Sequence, residues 1–354
     1  DFPYENFTDM WKAENWNAAE WADLFKKSGA GYIVPVTKHH DGFCLWPSKY
    51  TDYHTGNRGP MRDIIGELAT AVREEGMKFG VYYSGILDWT YTTVPICDEF
   101  DVHNPPNITA AYADYAFNQA TELIDRYQPS VFWNDIDWPK KGIVDLPALF
   151  SYYYNNVPEG VVNDRWNGVW ADYTTKEYKY GQMTLDKKWE MCRGLGLSFA
   201  YNQVETDEHY IQPNKLIALL LESVSHNGNL LINVGPKADG TIPAEQRDRL
   251  LYLGQWLSVN GDAIYGTKTW TRQQERLAGG IDAYFTSKND KVYVMLDNVA
   301  AGSSTAVIPG LAEAAATIRP LAETQAKFSA QGPDLAIDLF NIAEGSPALA
   351  FVFG

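Results

Sequence analysis

The residues best suited to chemistry stand in one stretch, Val131-Phe132-Trp133-Asn134-Asp135-Ile136-Asp137-Trp138-Pro139. Two β-favouring residues lead into a tryptophan, two carboxylates and a second tryptophan, and Pro139 with Lys140-Lys141-Gly142 closes the run as a turn. An apolar strand ending in an aspartate framed by indoles suits attack on an anomeric carbon, because the ring faces shape a sugar-sized pocket while the carboxylate meets the carbon. The same pattern also describes a strand end followed by a solvated acidic turn.

Such a site needs a scaffold, and 354 residues suffice for one α/β domain of ~250 residues with a smaller one after it. Aromatic residues make up 14% of the chain, with 12 Trp, 22 Tyr and 15 Phe, an abundance that serves carbohydrate-lined clefts as well as cores. A net charge of −16 excludes nucleic acid as a natural partner, since phosphate backbones demand clustered Lys and Arg, and a neutral substrate fits better. Cys44, Cys97 and Cys192 are odd in number and lack CxxC spacing, so neither a disulfide framework nor a zinc centre is indicated, and no metal or other cofactor is expected. No apolar run approaches the ~20 residues of a membrane-spanning helix, and the first residues form no signal peptide. The expectation is a soluble chain with no membrane partner, either cytoplasmic in the bacterial manner or secreted or periplasmic with its signal removed.

The elements that would position the chemistry can be followed along the chain. Trp21, Leu24 and Phe25 recur at helical spacing in residues 18–27, and Tyr32-Ile33-Val34-Pro35-Val36-Thr37 reads as a buried strand delivering Lys38-His39-His40-Asp41-Gly42-Phe43 at its end. A helix over 61–75 precedes the strand Phe79–Tyr83. The loop 86–106 then gives way to a helix over 109–127, which leads into the strand Val131–Asn134. Further on, the spacing predicts a helix over 146–155, a short strand Val161–Asn163 ending at Asp164-Arg165-Trp166, strands at Leu197–Tyr201 and Leu230–Val234 with a helix over 214–226 between them, and a final helix over 245–258. Polar clusters that repeatedly follow strands are the pattern of an irregular TIM-like (β/α) barrel with its active site at the C-terminal mouth of the strands. An open doubly wound sheet is weaker, because no Gly-rich phosphate turn follows a strand. Past Gly261 the texture becomes short β runs, so the division expected is a catalytic barrel over 1–265 and a small β-sandwich over 266–354.

Taken together, Lys38-His39-His40-Asp41-Gly42-Phe43 with Trp46-Pro47-Ser48, Trp133-Asn134-Asp135, and Gly228-Asn229-Leu230-Leu231-Ile232-Asn233-Val234-Gly235-Pro236 with Asp239-Gly240 resemble the α-L-fucosidases of glycoside hydrolase family 29. The similarity runs in the same order from about Asn15 to Trp270. It implies an irregular (β/α) barrel followed by a β-sandwich, and a retaining exo-α-L-fucosidase that frees terminal fucose from glycans or glycosides through a covalent fucosyl-enzyme.

By that resemblance Asp135 is the nucleophile, with Asp137 its rival two residues on. Arg165 corresponds to the family arginine that binds the sugar and would help keep a neighbouring carboxylate ionised. The general acid/base falls on Glu177 of Thr175-Lys176-Glu177-Tyr178. A loop could carry it over the mouth to the ~5–5.5 Å carboxyl separation of a retaining enzyme. Read without the family, Glu177 competes with Asp172, Glu190 and Glu205. His39 and His40 would bind sugar hydroxyls; a metal is not indicated, because no further ligand is spaced to join them. Tyr82 and Trp133 match sugar contacts, while Trp46 and Phe199 read equally well as walls for the fucose methyl or as core.

One departure stands out. The family opens with a strand carrying Phe-x-His-Trp-Gly, and this chain holds no such segment. The expectation is therefore a barrel without its first strand, completed by a complementing N-terminal segment or by a second subunit in a homo-oligomer. Two other readings stand beside the fucosidase: another retaining glycosidase on the same barrel, such as an α-galactosidase-like enzyme, and a non-catalytic carbohydrate-binding protein.

Overall fold

A computed structural model describes residues 2–92, 94–105, 108–178 and 185–354. The chain gathers into two compact units, Asp1–Lys26, Ala30–Thr174 and Pro236–Pro243 in the first, and Lys27–Gly29, Thr175–Gly235 and Ala244–Gly354 in the second.

In the first unit the elements run α1 (Asn6–Met10), α2 (Ala18–Lys27, whose last residue falls in the second unit), β1 (Tyr32–Ile33), β2 (Val36–Lys38), α3 (Ile64–Glu74), β3 (Lys78–Ser84), α4 (Glu99–His103), α5 (Ala110–Tyr127), β4 (Val131–Asp135), α6 (Leu146–Asn156) and β5 (Val161–Val162). The strand expected over 32–37 is split at Val34-Pro35, because proline has no N–H to give to a ladder. The helix expected from Met61 starts later: Met61 has a left-handed φ of 58°, and the Asp63 carboxylate caps α3 by accepting from the Gly66 N–H. Ile64, Ile65, Leu68, Ala69 and Val72 then form its buried face. Thr109 caps α5 in the same way, accepting from Tyr112, and Gln128 closes the helix in the left-handed region. Short α4 occupies part of the expected loop 86–106, of which Thr93 and Pro106 lie outside the described residues.

The strands pair in parallel in the order β1-β3-β4-β5, with β2 also on β3. Ser84 lies opposite Asp135 and Tyr82 opposite Trp133, so the C-terminal ends of β2, β3, β4 and β5 form one edge. Every residue of β4 is buried, as a strand covered on both faces requires.

The second unit contains β6 (Thr174–Glu177, its first residue in the first unit), β7 (Trp189–Gly194), α7 (Pro213–Ser225), β8 (Gly228–Asn233) and α8 (Ala244–Asn260), with β6-β7-β8 forming one sheet. The strand expected at Leu197–Tyr201 is not one. The strand is β7, where Trp189 to Cys192 are buried, and Gly194 closes it with Leu195-Gly196 just after, instead of the three leading into a strand. Leu197 and Ser198 give their N–H groups to the Glu205 carboxylate, both at 3.1 Å, so a side chain replaces the ladder that an apolar run alone suggested.

Beyond α8 lie β9 (Lys268–Arg276), β10 (Asp282–Lys288), β11 (Lys291–Asp297), β12 (Gly302–Ile308), β13 (Arg319–Pro320), β14 (Ala326–Gln331), β15 (Asp334–Ile342) and β16 (Leu349–Phe353). They form two antiparallel sheets, β13-β16-β11-β10-β9 and β12-β15-β14, which share one core of Phe285, Val294, Leu296, Ile308, Ile337 and Phe351. Cys44 and Cys192 are buried, Cys97 is exposed, and none of the three is in a disulfide. Among the described residues no helix is long and apolar enough to cross a membrane.

Candidate active site

The parallel register of the first unit stacks aromatic planes along its C-terminal edge. The His39 ring lies 5.5 Å from that of Tyr82 at an interplanar angle of 4°, Tyr82 lies 5.4 Å from Trp133 at 20°, and the Arg165 guanidinium sits 4.7 Å from the Trp133 ring centre. This wall surrounds Asp135. One carboxylate oxygen, Oδ2, accepts from the Tyr82 hydroxyl at 2.5 Å; the other, Oδ1, accepts from Arg165 Nη1 at 2.5 Å and from the Ile136 N–H at 3.0 Å. A carboxylate so held is oriented and charge-partnered, the arrangement that nucleophilic attack requires.

The two histidines present neutral rings. His40 Nδ1 lies 2.7 Å from Ser84 Oγ, and the Ser84 hydroxyl donates to the Leu87 carbonyl at 2.8 Å. With its proton committed, the serine can only accept, so Nδ1 carries the His40 proton and Nε2 is left as an acceptor. Burial, with His39 alongside, pulls the His40 pKa down to about 4 against the opposing pull of Asp135, and burial likewise lowers His39. Donor atoms of His39, His40 and Asp135 lie within 4.8 Å of one another, close enough to ligate a cation. Their chemistry favours hydroxyls instead, since both Asp135 oxygens already accept hydrogen bonds, one from a guanidinium that repels a metal ion.

The turn after Asp135 is strained. Ile136 and Asp137 both adopt left-handed backbone, φ 52° and 60°, a placement that costs on the order of 1–3 kcal/mol for each non-glycine residue and more for a β-branched one. Asn134 Nδ2 holds the Asp137 carbonyl at 3.0 Å, and the Asp137 side chain accepts from the Asn167 N–H at 3.1 Å. A methyl group on Gly85 would collide with that same Asp137 carbonyl. Asp137, the rival nucleophile, is thus an anchor of the turn.

Beneath the histidines runs a buried ion pair. Lys38 and Asp88 are fully buried, with Nζ 2.9 Å from Oδ2. Burial opposes the lysine's charge, and Asp88 with Tyr112, Tyr83 and Tyr115 more than offsets it, so its pKa lies well above the ordinary value. Next to the histidines, burial pushes Asp41 up to about 6; its own N–H and that of Phe43 oppose this, as does Lys38, and Asp88 adds to it. A carboxyl whose folded pKa is raised contributes stability below its unfolded pKa and loses it as pH rises through the folded one. Asp41→Asn should therefore gain stability over the parent between pH 4 and pH 7 by on the order of 2 kcal/mol. His40 acts with the opposite sign over the same window and cancels in the comparison. Urea unfolding at the two pH values measures it, and a parent-to-variant difference independent of pH would refute it.

The sequence model of the family described as alpha-L-fucosidase matches residues 1–262. The α-L-fucosidase of Branchiostoma floridae is 36% identical over 87% of this chain and 70% of its own length, and the human tissue α-L-fucosidase 34% identical over 83% of this chain and 64% of its own. The crystal structure of Thermotoga maritima α-fucosidase in complex with fucose superposes with a TM-score of 0.91 at 46% identity, covering 100% of this chain and 82% of that one.

The chain belongs to the α-L-fucosidase family. It is a glycoside hydrolase, and its fold class is the (β/α) barrel followed by a C-terminal β-sandwich. In fucosidase terms, the structure brings His39, His40, Tyr82, Trp133, Asp135 and Arg165 into one group. Trp46 does not join it: the ring is wholly buried and its indole N–H donates to Glu122 at 3.0 Å, so it is core and cannot face a fucose methyl. Glu177 and Phe199 lie in the second unit. Glu177 ends β6 half-buried, and the next residue, Tyr178, packs its ring edge-on against Phe199 at 5.3 Å. The rivals to Glu177 have structural employment. Asp172 accepts from the Val162 N–H and the Tyr154 hydroxyl, Glu205 holds the 197–198 backbone, and Glu190 is buried within β7. Sequence reading missed Ser84, the Ile136 N–H and the Lys38–Asp88 pair. Ser84 alone had a legible signal, a polar residue closing an apolar strand beside the His-His pair.

Proposed function

We propose that this chain is a retaining exo-α-L-fucosidase in which Asp135 attacks the anomeric carbon of a terminal α-L-fucosyl unit and Glu177 protonates the departing oxygen. Glu177, deprotonated by that first step, then takes a proton from water, which attacks the fucosyl-enzyme from the opposite face and releases fucose with its original configuration. His39 and His40 bind hydroxyls, Trp133 and Tyr82 shape the pocket, Arg165 orients the nucleophile through its hydrogen bond to Oδ1, and Phe199 lies against the sugar's methyl. A fucosylated glycan or glycoside is the substrate, in keeping with the fucose complex of the Thermotoga relative. The observation that carries this reading is Asp135 with both oxygens held by Arg165, the Ile136 N–H and Tyr82 under a wall of rings.

Turnover of p-nitrophenyl α-L-fucoside, with α-fucose as the first anomer seen by NMR, is the expected result; preference for the α-galactoside, or no turnover, would overturn the proposal. The role of Glu177 has its own readout. Glu177→Ala should slow alkyl fucosides by roughly 10²–10⁴-fold and aryl fucosides with good leaving groups far less, because only the former need a proton in the first step. Equal losses across leaving groups would move the role to another carboxylate.

A further inference from the structure

The loop after β3 carries a tryptophan whose exposure the fold does not explain. Trp89 is 47% exposed, yet its backbone is fixed on every side. Its N–H donates to the carbonyl of His40 at 2.7 Å. Asp88 before it is buried on Lys38, and Thr90 after it binds Asp88 Oδ1 through its N–H at 2.9 Å and through its hydroxyl at 2.5 Å. The N–H groups of Tyr91 and Thr92 return to the Asp88 carbonyl at 3.0 and 2.9 Å. The indole itself packs edge-on against Tyr4, ring centres 5.0 Å apart at 81°, and Tyr4 packs on Phe7 in turn.

An indole could bury far more area than this, and one held in solvent by a rigid loop forgoes that gain. Rigid aromatic faces lose little entropy when a ligand stacks on them, so the arrangement is preorganised for binding. Its position fixes what would bind. The Trp89 N–H is bonded to the His40 carbonyl, so the residue stands beside the histidine group and outside the set around Asp135, where a substrate would present the part beyond the sugar being cleaved.

We infer that Trp89, braced by Tyr4, is the stacking platform for the pyranose ring to which the fucose is attached. This rests on the fucosidase reading of the site, and it assigns recognition of the leaving sugar to a residue outside the group around Asp135. The C–H face of the pyranose lies on the indole, and its hydroxyl edge stays in water.

The test compares two substrates that differ only beyond the scissile bond: α-L-fucosyl fluoride, which has no leaving-group ring, and a disaccharide of fucose α-linked to a hexopyranose. The ratio of kcat/KM, disaccharide over fluoride, should fall about tenfold in Trp89→Ala. Trp89→Phe should retain most of the ratio and Trp89→Leu should lose it, which separates a planar platform from mere apolar bulk and serves if Trp89→Ala does not fold. A ratio unchanged within about twofold in Trp89→Ala and Trp89→Leu, or a loss shared equally by both substrates, would overturn the platform. A parent chain that cleaves neither substrate would instead sink the fucosidase reading.

Discussion

Asp135→Gly should lower kcat/KM toward aryl α-L-fucosides by about 10⁴-fold or more while leaving the unfolding midpoint close to that of the parent, because the covalent intermediate cannot form without the carboxylate. Three donors converge on that group, and two of them, Arg165 and Tyr82, also lie against the ring wall, so they stay packed when it is removed. The space vacated can admit a small anion beside the guanidinium. Added azide should restore turnover and yield a fucosyl azide of inverted configuration, since the azide attacks the face the carboxylate attacked. Azide rescue of Asp137→Gly together with none of Asp135→Gly would transfer the role. The strained turn argues against that result, because the Asp137 carboxylate is bound to the Asn167 N–H and faces His103 at 3.6 Å.

The second large effect is on stability. Asp88→Asn or Lys38→Met each leaves one fully buried group without its ionic partner, and the cost should be about 3–5 kcal/mol. The double replacement Lys38→Met with Asp88→Asn should cost clearly less than the sum of the singles, because it removes the uncompensated charge along with the pair. Urea unfolding of the four proteins gives the cycle; strict additivity, or single losses below about 1 kcal/mol, would show that the pair does not act as a unit. Because Asp88 fixes the loop that holds Trp89 and Lys38 precedes His39, even a folded single variant should bind fucose more weakly.

Much of this was legible in the sequence where local pattern and position coincide. Helix α5 follows its cap at Thr109 and its apolar period to Tyr127, and β4 is an unbroken apolar run ending at Asp135. The family resemblance singled out His39, Tyr82, Trp133 and Arg165, and the strand pattern agreed with it, since each stands at or near a strand end and parallel register turns strand ends into neighbours. What was not legible depended on partners distant in sequence. Leu197–Tyr201 has strand composition, but a carboxylate from Glu205 satisfies its backbone. Trp46 sits next to the histidine motif, yet Glu122, far along the chain on α5, draws its indole into the core. Lys38 looks like a solvated cation until Asp88 is brought beneath it.

The register of the first unit also sets an order in time. Lys78 must find Tyr32, and Val131 must find Gly80, each across an intervening helix, before any parallel ladder yields a hydrogen bond. The loop-closure entropy of those pairings is spent in advance, so such sheets nucleate slowly, whereas the hairpin of β10 and β11, closed at Lys288 opposite Lys291, forms from neighbours within microseconds. The edge that carries Asp135 is therefore among the last parts of the chain to acquire its shape. Until those ladders form, the apolar strand Val131–Trp133 is unpaired, and an exposed strand edge of that composition is the kind of surface through which incompletely folded chains associate.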